Sequence, residues 1–423
     1  MPKHKMIIPL LLLSGFSLTT VATEFPAIAG DHAFGMRTRY QSIGDDLLGD
    51  ALAFTSRFTL TSRFKLDEQA QWQLLLQPNY VYAFNEEDYN SVTVTRFTSP
   101  IPDPDGFNLT QGFIHYDSNN YWSASLGRQS ISFDNERMVG AIEFWQTPQS
   151  FDALKLQYNN QQNINIQYLY SNKVHRIFGQ DSNHELPKDD VRFGHLEQRP
   201  ASELGEHRLN SHLLNIEYKT ENDLTLSGYH YYIDNQDQPL FSTATTGIRI
   251  RDEFKPGKIK YRYVLEYAHQ QDSANNLKNY QAWYSLFEFG LQYKSHRFDI
   301  SQEILSEDDY NGFQTPLATN HKFQGWADVF ASYGMQAGLR DKYVTYRGRA
   351  NKLNWRVVYH QFDSYSHSDN IGAEIDFELG YRFTRKWEIK LVYADYRSND
   401  GMQYFSRASY DLNSWFASIA YNI

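Results

Sequence analysis

Hydrophobic and polar positions alternate along much of this chain with a period of two. The clearest stretch runs from Leu52 to Leu66, where Leu52, Phe54, Ser56, Phe58, Leu60, Ser62, Phe64 and Leu66 are apolar or small. Between them stand Ala53, Thr55, Arg57, Thr59, Thr61, Arg63 and Lys65. That period puts one set on each face of a sheet. One face suits lipid, and the other, carrying two arginines, suits water. Repeated around a closed cylinder, the pattern describes the wall of a pore.

Comparable segments predict strands near 33–40, 52–66, 70–84, 107–117, 120–129, 152–159, 162–170, 211–219 and 222–233. They continue near 243–251, 258–269, 279–294, 296–305, 340–348, 352–362, 371–384, 387–397 and 413–423. Their lengths suit tilted membrane-spanning strands of about ten residues. Short polar joints fall at 67–69, 118–120, 159–161, 220–222, 252–257, around Ser295, at 348–351 and at 384–386. Between successive joints lie longer segments, including 41–51, 85–106, 130–151, 171–210, 306–339 and 398–412. Bacterial outer-membrane barrels sort their connections in this way, with an even strand count and both termini in the periplasm. The predicted fold class is all-β: a transmembrane antiparallel up-and-down β-barrel of about 18 strands, with short periplasmic turns and long extracellular loops.

Composition sharpens this picture. The chain has 423 residues, a net charge of −10, 16% aromatic residues and no cysteine. A mean hydropathy of −0.62 excludes a helical membrane protein, and no apolar run approaches the roughly 18–20 residues of a spanning helix. A barrel tolerates low hydropathy because only alternate residues touch lipid. Without cysteine there is no lipid-attachment site, disulfide or thiolate metal site. Lys3 and Lys5 precede an apolar stretch over residues 6–18 followed by small residues, which reads as a secretory signal. Residues 1–22 form that signal, with cleavage after Ala22, Thr23 or as late as Ala29, and residues 30–423 form one barrel domain. At the other end Trp415, Ala417, Ile419, Tyr421 and Ile423 alternate with smaller or polar neighbours. This resembles the terminal strand of outer-membrane proteins that the barrel assembly machinery receives, although such strands usually end in Phe or Trp. The expected location is the outer membrane of a Gram-negative cell, among its lipids and lipopolysaccharide.

Charge is divided between the joints and the wall. The long loops carry roughly −18 and the strands and turns roughly +7. Acidic runs such as Glu86-Glu87-Asp88 and Glu307-Asp308-Asp309 therefore belong to the cell surface. Solvated charge explains them most simply, with surface divalent cations as the second reading; no cofactor is expected. Positions between the apolar ones offer Arg37, Arg39, Arg57, Arg63, Arg249, Arg251, Arg262, Arg356 and Arg382 to the lumen, with Lys260 and Lys352. Arginine keeps its charge and grips carboxylates in bidentate fashion. Glu217, Glu266, Asp299, Glu303, Glu374, Asp376 and Glu378 point inward as well. The arginines either bind a passing anion or pair with these acids.

Further along, Leu126-Gly127-Arg128-Gln129, Phe133-Asp134-Asn135-Glu136-Arg137 and Val139-Gly140 resemble the signature of the alginate-export family of outer-membrane porins. Phe144-Trp145-Gln146, Gln149-Ser150-Phe151-Asp152-Ala153, Arg176-Ile177-Phe178-Gly179, His212-Leu213-Leu214-Asn215, Gly325-Trp326-Ala327-Asp328, Gly338-Leu339-Arg340-Asp341 and the stretch 374–396 are similar too. The resemblance implies an eighteen-stranded monomeric barrel with a basic lumen, partly occluded by a loop and a periplasmic turn. It also implies passage of a uronate polymer or another anionic solute. By position it carries Arg128, Asp134, Arg137, Trp145 and Asp152 in the first block and Trp326 and Asp328 in the later one. Segment 130–151 is long enough to fold inward as a constriction, with Arg137 and Glu143 lining it or Asp134 and Arg137 pairing to shape it. The inward carboxylates and the lack of a dense arginine run depart from a dedicated uronate path.

Three function classes follow. The first is a passive channel for anionic solutes, of uronate type or, alternatively, a general or small-solute uptake porin with weak anion preference. The second, a barrel enzyme, needs a nucleophile with a base in reach, and no Gly-x-Ser-x-Gly or His-x-Ser arrangement of that kind occurs. The third is an adhesin or receptor acting through segment 171–210 with His175, His184, His195 and His207, whose spacing matches no standard zinc site. Nothing suggests nucleic-acid binding.

Overall fold

The computed structural model describes residues 30–183, 185–330, 336–399 and 407–423; the expected signal segment and His184 lie outside the described residues. Eighteen long strands form one sheet. They are β1 Gly30–Asp45, β2 Ala51–Lys65, β3 Trp72–Ala83, β4 Gly106–Asp117, β5 Trp122–Gln129, β6 Ser150–Asn159, β7 Ile164–His175, β8 Glu206–Lys219 and β9 Thr225–Ile233. Next come β10 Thr243–Phe254, β11 Ile259–Asp272, β12 Gln281–Tyr293 and β13 His296–Leu305. A two-residue pair, β14 Glu307–Asp308 and β15 Asn311–Gly312, decorates the following loop. The wall resumes with β16 Leu339–Ala350, β17 Leu353–Ser364, β18 Asn370–Arg382, β19 Trp387–Ser398 and β20 Leu412–Asn422. Each wall strand pairs antiparallel with its sequence neighbour, and β1 pairs with both β2 and β20. Closure removes every free edge, as a membrane-spanning sheet requires.

Every expected strand is present. One expectation about the joints needs correction. β1 runs on to Asp45, so its outer joint is only 46–50, and 365–369 is equally short. Gln41, Ile43 and Asp45 stay buried against material inside the barrel, which extends the strand beyond its membrane span. Long joints are therefore confined to some of the outer connections, chiefly 84–105, 130–149, 176–205 and 306–338.

The outer face carries the apolar residues of the alternation, among them Phe34, Phe58, Leu60, Leu126, Ile248, Phe287, Ile300 and Ile375, all exposed to the lipid side. Paired rings mark its two rims. Trp72 and Tyr116 lie 4.7 Å apart, Trp122 and Tyr158 4.9 Å, and Trp387 and Tyr421 4.6 Å, all beside short turns. Tyr393 and Trp415, 4.3 Å apart, and Phe54 and Phe84, 4.5 Å apart, stand nearer the loop side. Such girdles sit at the two membrane–water interfaces.

The interior holds an apolar core of the kind found in soluble domains. Ile142, Trp145, Trp326, Val329 and Phe330 pack on the wall residues Ile43, Val358, Phe362, Ile371, Tyr396 and Phe416. Ile131, Phe133, Val139, Phe313 and Leu317 pack on Leu169, Leu213, Tyr231, Val264, Tyr284 and Leu305. Loop 130–149 and residues 306–330 of the later loop thus turn into the barrel and bury their apolar residues there.

Candidate functional site

The two inward loops are built as one body. The Gly140 N–H donates to Leu317 O at 2.9 Å, and the Thr319 N–H to Glu136 O at 3.0 Å. The Gln149 amide donates to both Gly140 O (2.8 Å) and Leu317 O (3.0 Å). Ile142, in the left-handed region at φ 51°, donates its N–H to Thr319 Oγ1. A β-branched residue in that region costs energy, and it persists because the partners on both loops determine it.

Arginines of β1 and β2 fasten this body to the wall. Arg37 donates to the carbonyls of Glu143 (2.9 Å), Phe144 (3.0 Å) and Trp145 (2.6 Å) and to Gln146 Oε1 (3.0 Å). Arg39 is buried, pairs with Asp103 at 3.3 Å and donates to Phe144 O at 2.9 Å. Its guanidinium stands within 5 Å of the Phe144, Trp145 and Phe416 rings, a cation–π arrangement. Arg57 donates to Gln146 O at 3.3 Å. On the far side Arg137 meets Glu303 at 2.7 Å, both fully enclosed. Burial alone would push the Arg137 guanidinium down; the Glu303 charge and its hydrogen bond outweigh that and hold it above its ordinary value. The Ala327 N–H donates to Glu374 at 2.8 Å, and the Trp326 ring lies 4.2 Å from the Arg356 guanidinium.

Three spaces surround this body. Outside it is a cavity of about 400 Å³ walled by Ile43, Pro100, Trp145, Phe178, Trp326 and Leu412. A second space of about 390 Å³ is lined by Arg37, Lys322, Arg356 and Lys390 together with Glu136, Glu143, Glu378 and Glu388. His321 and Trp326 border both. The His321 ring stacks on Phe144 at 3.4 Å and its Nδ1 bonds Asp328 at 2.8 Å. A waist of rings therefore separates an aromatic outer space from a charged inner one. A third space of about 300 Å³ lies against β2–β6 and is lined by Arg63, His115 and Lys155.

The arginines expected at the lumen divide by partner. Arg249 pairs with Glu266, Arg251 with Glu217 (3.4 Å), Arg262 with Glu288 (2.9 Å), Arg356 with Glu378 (3.2 Å) and Arg382 with Glu388 (2.9 Å). Arg37 and Arg57 spend their donors on neutral groups of the inward loop, and Arg63 faces the third space. Asp299 takes Arg297 and Arg347, each at 2.7 Å.

Several motif residues stand elsewhere than expected. Arg128 and Asp152 bond each other at 2.8 Å on the lipid-side face, in register with Gly112 and beside His175 and Glu206, so neither lines a constriction. Asp134 and Arg137 do not pair; Asp134 accepts from Asn215 at 2.7 Å. Arg137 is 1% exposed and anchors the loop, while Glu143 does face the inner space. His175 sits on the outer wall and His207 is buried against Ala201 O, so these two histidines do not converge. Sequence reading missed Lys155, His115, Lys390, Lys322 and His321. Lys155, between Leu154 and Leu156, was readable from the alternation; His321 belongs to a loop with no period to read.

No family model and no curated protein matches the chain. Solved structures do. Pseudomonas aeruginosa OccK1 (OpdK) aligns over 93% of this chain and 98% of its own, at 12% identity and a TM-score of 0.67. The same protein with vanillate gives 0.68 at 12% identity over the same shares. Acinetobacter baumannii OccAB2 gives 0.66 at 14% identity, again over 93% and 98%. At this identity the likeness establishes the fold: a closed 18-stranded outer-membrane barrel. With its apolar belt and ring girdles, that fold places the chain in the outer membrane of a Gram-negative cell. The alginate-export resemblance is corrected accordingly. The similar structures are Occ-type barrels, and in the first motif block Arg128 and Asp152 form a wall pair while Arg137 anchors a loop.

Proposed function

We propose that this barrel is a passive channel for small organic anions, taken up down their gradient. The observation that carries the reading is the joined pair of inward loops, which divides the lumen into spaces of about 300 to 400 Å³. Spaces of that size suit small molecules, and a polymer would have to displace a core that carries Trp145, Trp326 and Phe330. Anion preference has its own support. Arg37, Arg57 and Arg63 keep charges that no carboxylate neutralises at bonding distance, whereas Arg249, Arg251, Arg262, Arg356 and Arg382 on the later strands are paired. Fixed cations in a pore favour anions. OpdK with vanillate is a precedent for an aromatic carboxylate in this fold, and the ring faces of Phe144, His321 and Trp326 at the waist suit the same class.

Solute uptake by proteoliposomes is the test. Small aromatic and aliphatic carboxylates should enter, uronate oligomers should not, and Arg63→Glu should slow carboxylate entry severalfold while neutral sugars are unaffected. Uptake of the oligomers at comparable rates would defeat the reading.

A further inference from the structure

The third lumenal space differs from the other two in its chemistry. Its walls come from the inward faces of β2 to β6: Arg63 from β2, His115 from β4, Ser125 from β5 and Lys155 from β6. Its roof is the start of the inward loop, where the Ser130 N–H donates to Gln111. No carboxylate lines it. Asp117 borders the adjoining cleft at the turn, which shares His115. In a lumen where Arg249, Arg262 and Arg356 each hold a glutamate, Arg63 and Lys155 face open space without an ion pair; Asp31 of β1 is the register neighbour of Arg63 but does not line the space.

Several other groups bring hydrogen-bonding capacity. Gln73, Gln111 and Gln157 and the hydroxyls of Ser123 and Ser125 ring the same volume. His115 Nδ1 is joined to Ser125 Oγ at 2.9 Å, and Gln111 donates to Gln77 at 3.0 Å, so these side chains are held in place rather than free to collapse. Two fixed cations ask for an anionic headgroup. Amides and hydroxyls ask for a ligand with hydroxyls of its own, since a polar site filled by an apolar group leaves its donors unpaired. The volume of about 300 Å³ suits one small molecule.

We infer that the early-strand wall of the lumen holds a binding site for a small hydroxylated organic anion, of the sugar-acid or sugar-phosphate class, with Arg63 and Lys155 on the anionic group and Gln73, Gln157 and Ser123 on the hydroxyls. The site is separate from the ring waist and follows from its own residues. It rests on the channel reading only for the route by which the ligand arrives. In transport it acts as a stepping point, since a pore must bind its solute enough to admit it and weakly enough to release it.

The experiment is calorimetric titration of the purified full-length barrel in detergent at low salt, with gluconate, glucose 6-phosphate, glucose and inorganic phosphate as probes. Gluconate and glucose 6-phosphate should bind at one site, glucose should not, and phosphate should bind at least fivefold more weakly than glucose 6-phosphate. Arg63→Gln with Lys155→Gln should weaken both organic anions at least tenfold. The two single changes serve the same comparison should the double variant fail to fold. Unchanged binding in these variants, or glucose binding as tightly as gluconate, overturns the site; phosphate binding as tightly as its ester overturns the hydroxyl half of the assignment. A wild-type barrel that conducts ions but binds none of the probes sinks this inference and leaves the channel standing. One that binds them without conducting does the reverse.

Discussion

At the scale of single residues, the same side-chain type does three different jobs in this lumen. Arg137 is a buried anchor, Arg356 half of an ion pair and a platform for Trp326, and Arg63 a charge facing open space without an ion pair. Alternation in the sequence was enough to turn Arg37, Arg57 and Arg63 inward. It was not enough to name the loop groups that Arg37 and Arg57 hold, which lie 89 to 109 positions away. Arg128 shows the limit from the other side: read as a motif residue, it turned out to face the lipid side with Asp152. The Arg137 pair has a sharp consequence. Arg137→Ala would leave Glu303 enclosed without its cation, a loss of about 3–5 kcal/mol. That cost falls on the docking of the loop, so single-channel recordings should show larger and noisier openings. Arg137→Met with Glu303→Gln should restore quiet openings, because removing both charges costs far less than removing one. Quiet wild-type openings in Arg137→Ala would mean that the pair does not hold the loop.

At the scale of elements, strands and loops were unequally legible. A strand has a period of two, and the outward rows of Phe, Leu, Ile and Tyr announce it; all eighteen wall strands fall where the pattern put them. Loops 130–149 and 306–338 carry no period, and their contacts with each other, such as Gly140 to Leu317, cannot be read from either segment alone. The inward fold of the first loop was foreseeable from its length, its joint body with the second was not. At Gly140 the two pack closely. A Cβ there would meet Thr319 Oγ1 at 2.1 Å and Glu136 Cβ at 2.7 Å. Gly140→Val should therefore spread the loops and raise unitary conductance, by about twofold or more on the order-of-magnitude view that the waist limits flow. The closed strand ladder is untouched, so the heat-induced mobility shift of the barrel in detergent should stay at its wild-type temperature. A variant with wild-type conductance would show that the joint body does not set the pore width.

At the scale of the whole molecule, the chain's acidity misleads about its interior. The net charge of −10 reflects acidic outer loops, while the early strands present basic residues to the lumen. Paired acids and bases dominate the later strands, so the field inside is uneven: mixed across β10 to β20 and basic across β1 to β6. The barrel class was legible because membrane insertion imposes one pattern on every strand. The solute was not, because solute choice resides in a few side chains brought together by two aperiodic loops. The same asymmetry explains why a resemblance drawn from short sequence blocks went to the wrong family while the strand count held. Salt also matters at this scale: fixed lumenal charges are screened within about 8 Å at physiological ionic strength, so selectivity should weaken steadily as salt is raised.

The central claim is that uncompensated basic residues on the early strands make the pore prefer anions. The most direct measurement is the zero-current potential of the purified wild-type channel in a planar bilayer, under a tenfold gradient of potassium chloride at low total salt. The account predicts a potential of the sign set by chloride, moving toward zero in Arg57→Glu and further in Arg57→Glu with Arg63→Glu. A wild-type potential of the sign set by potassium would contradict it.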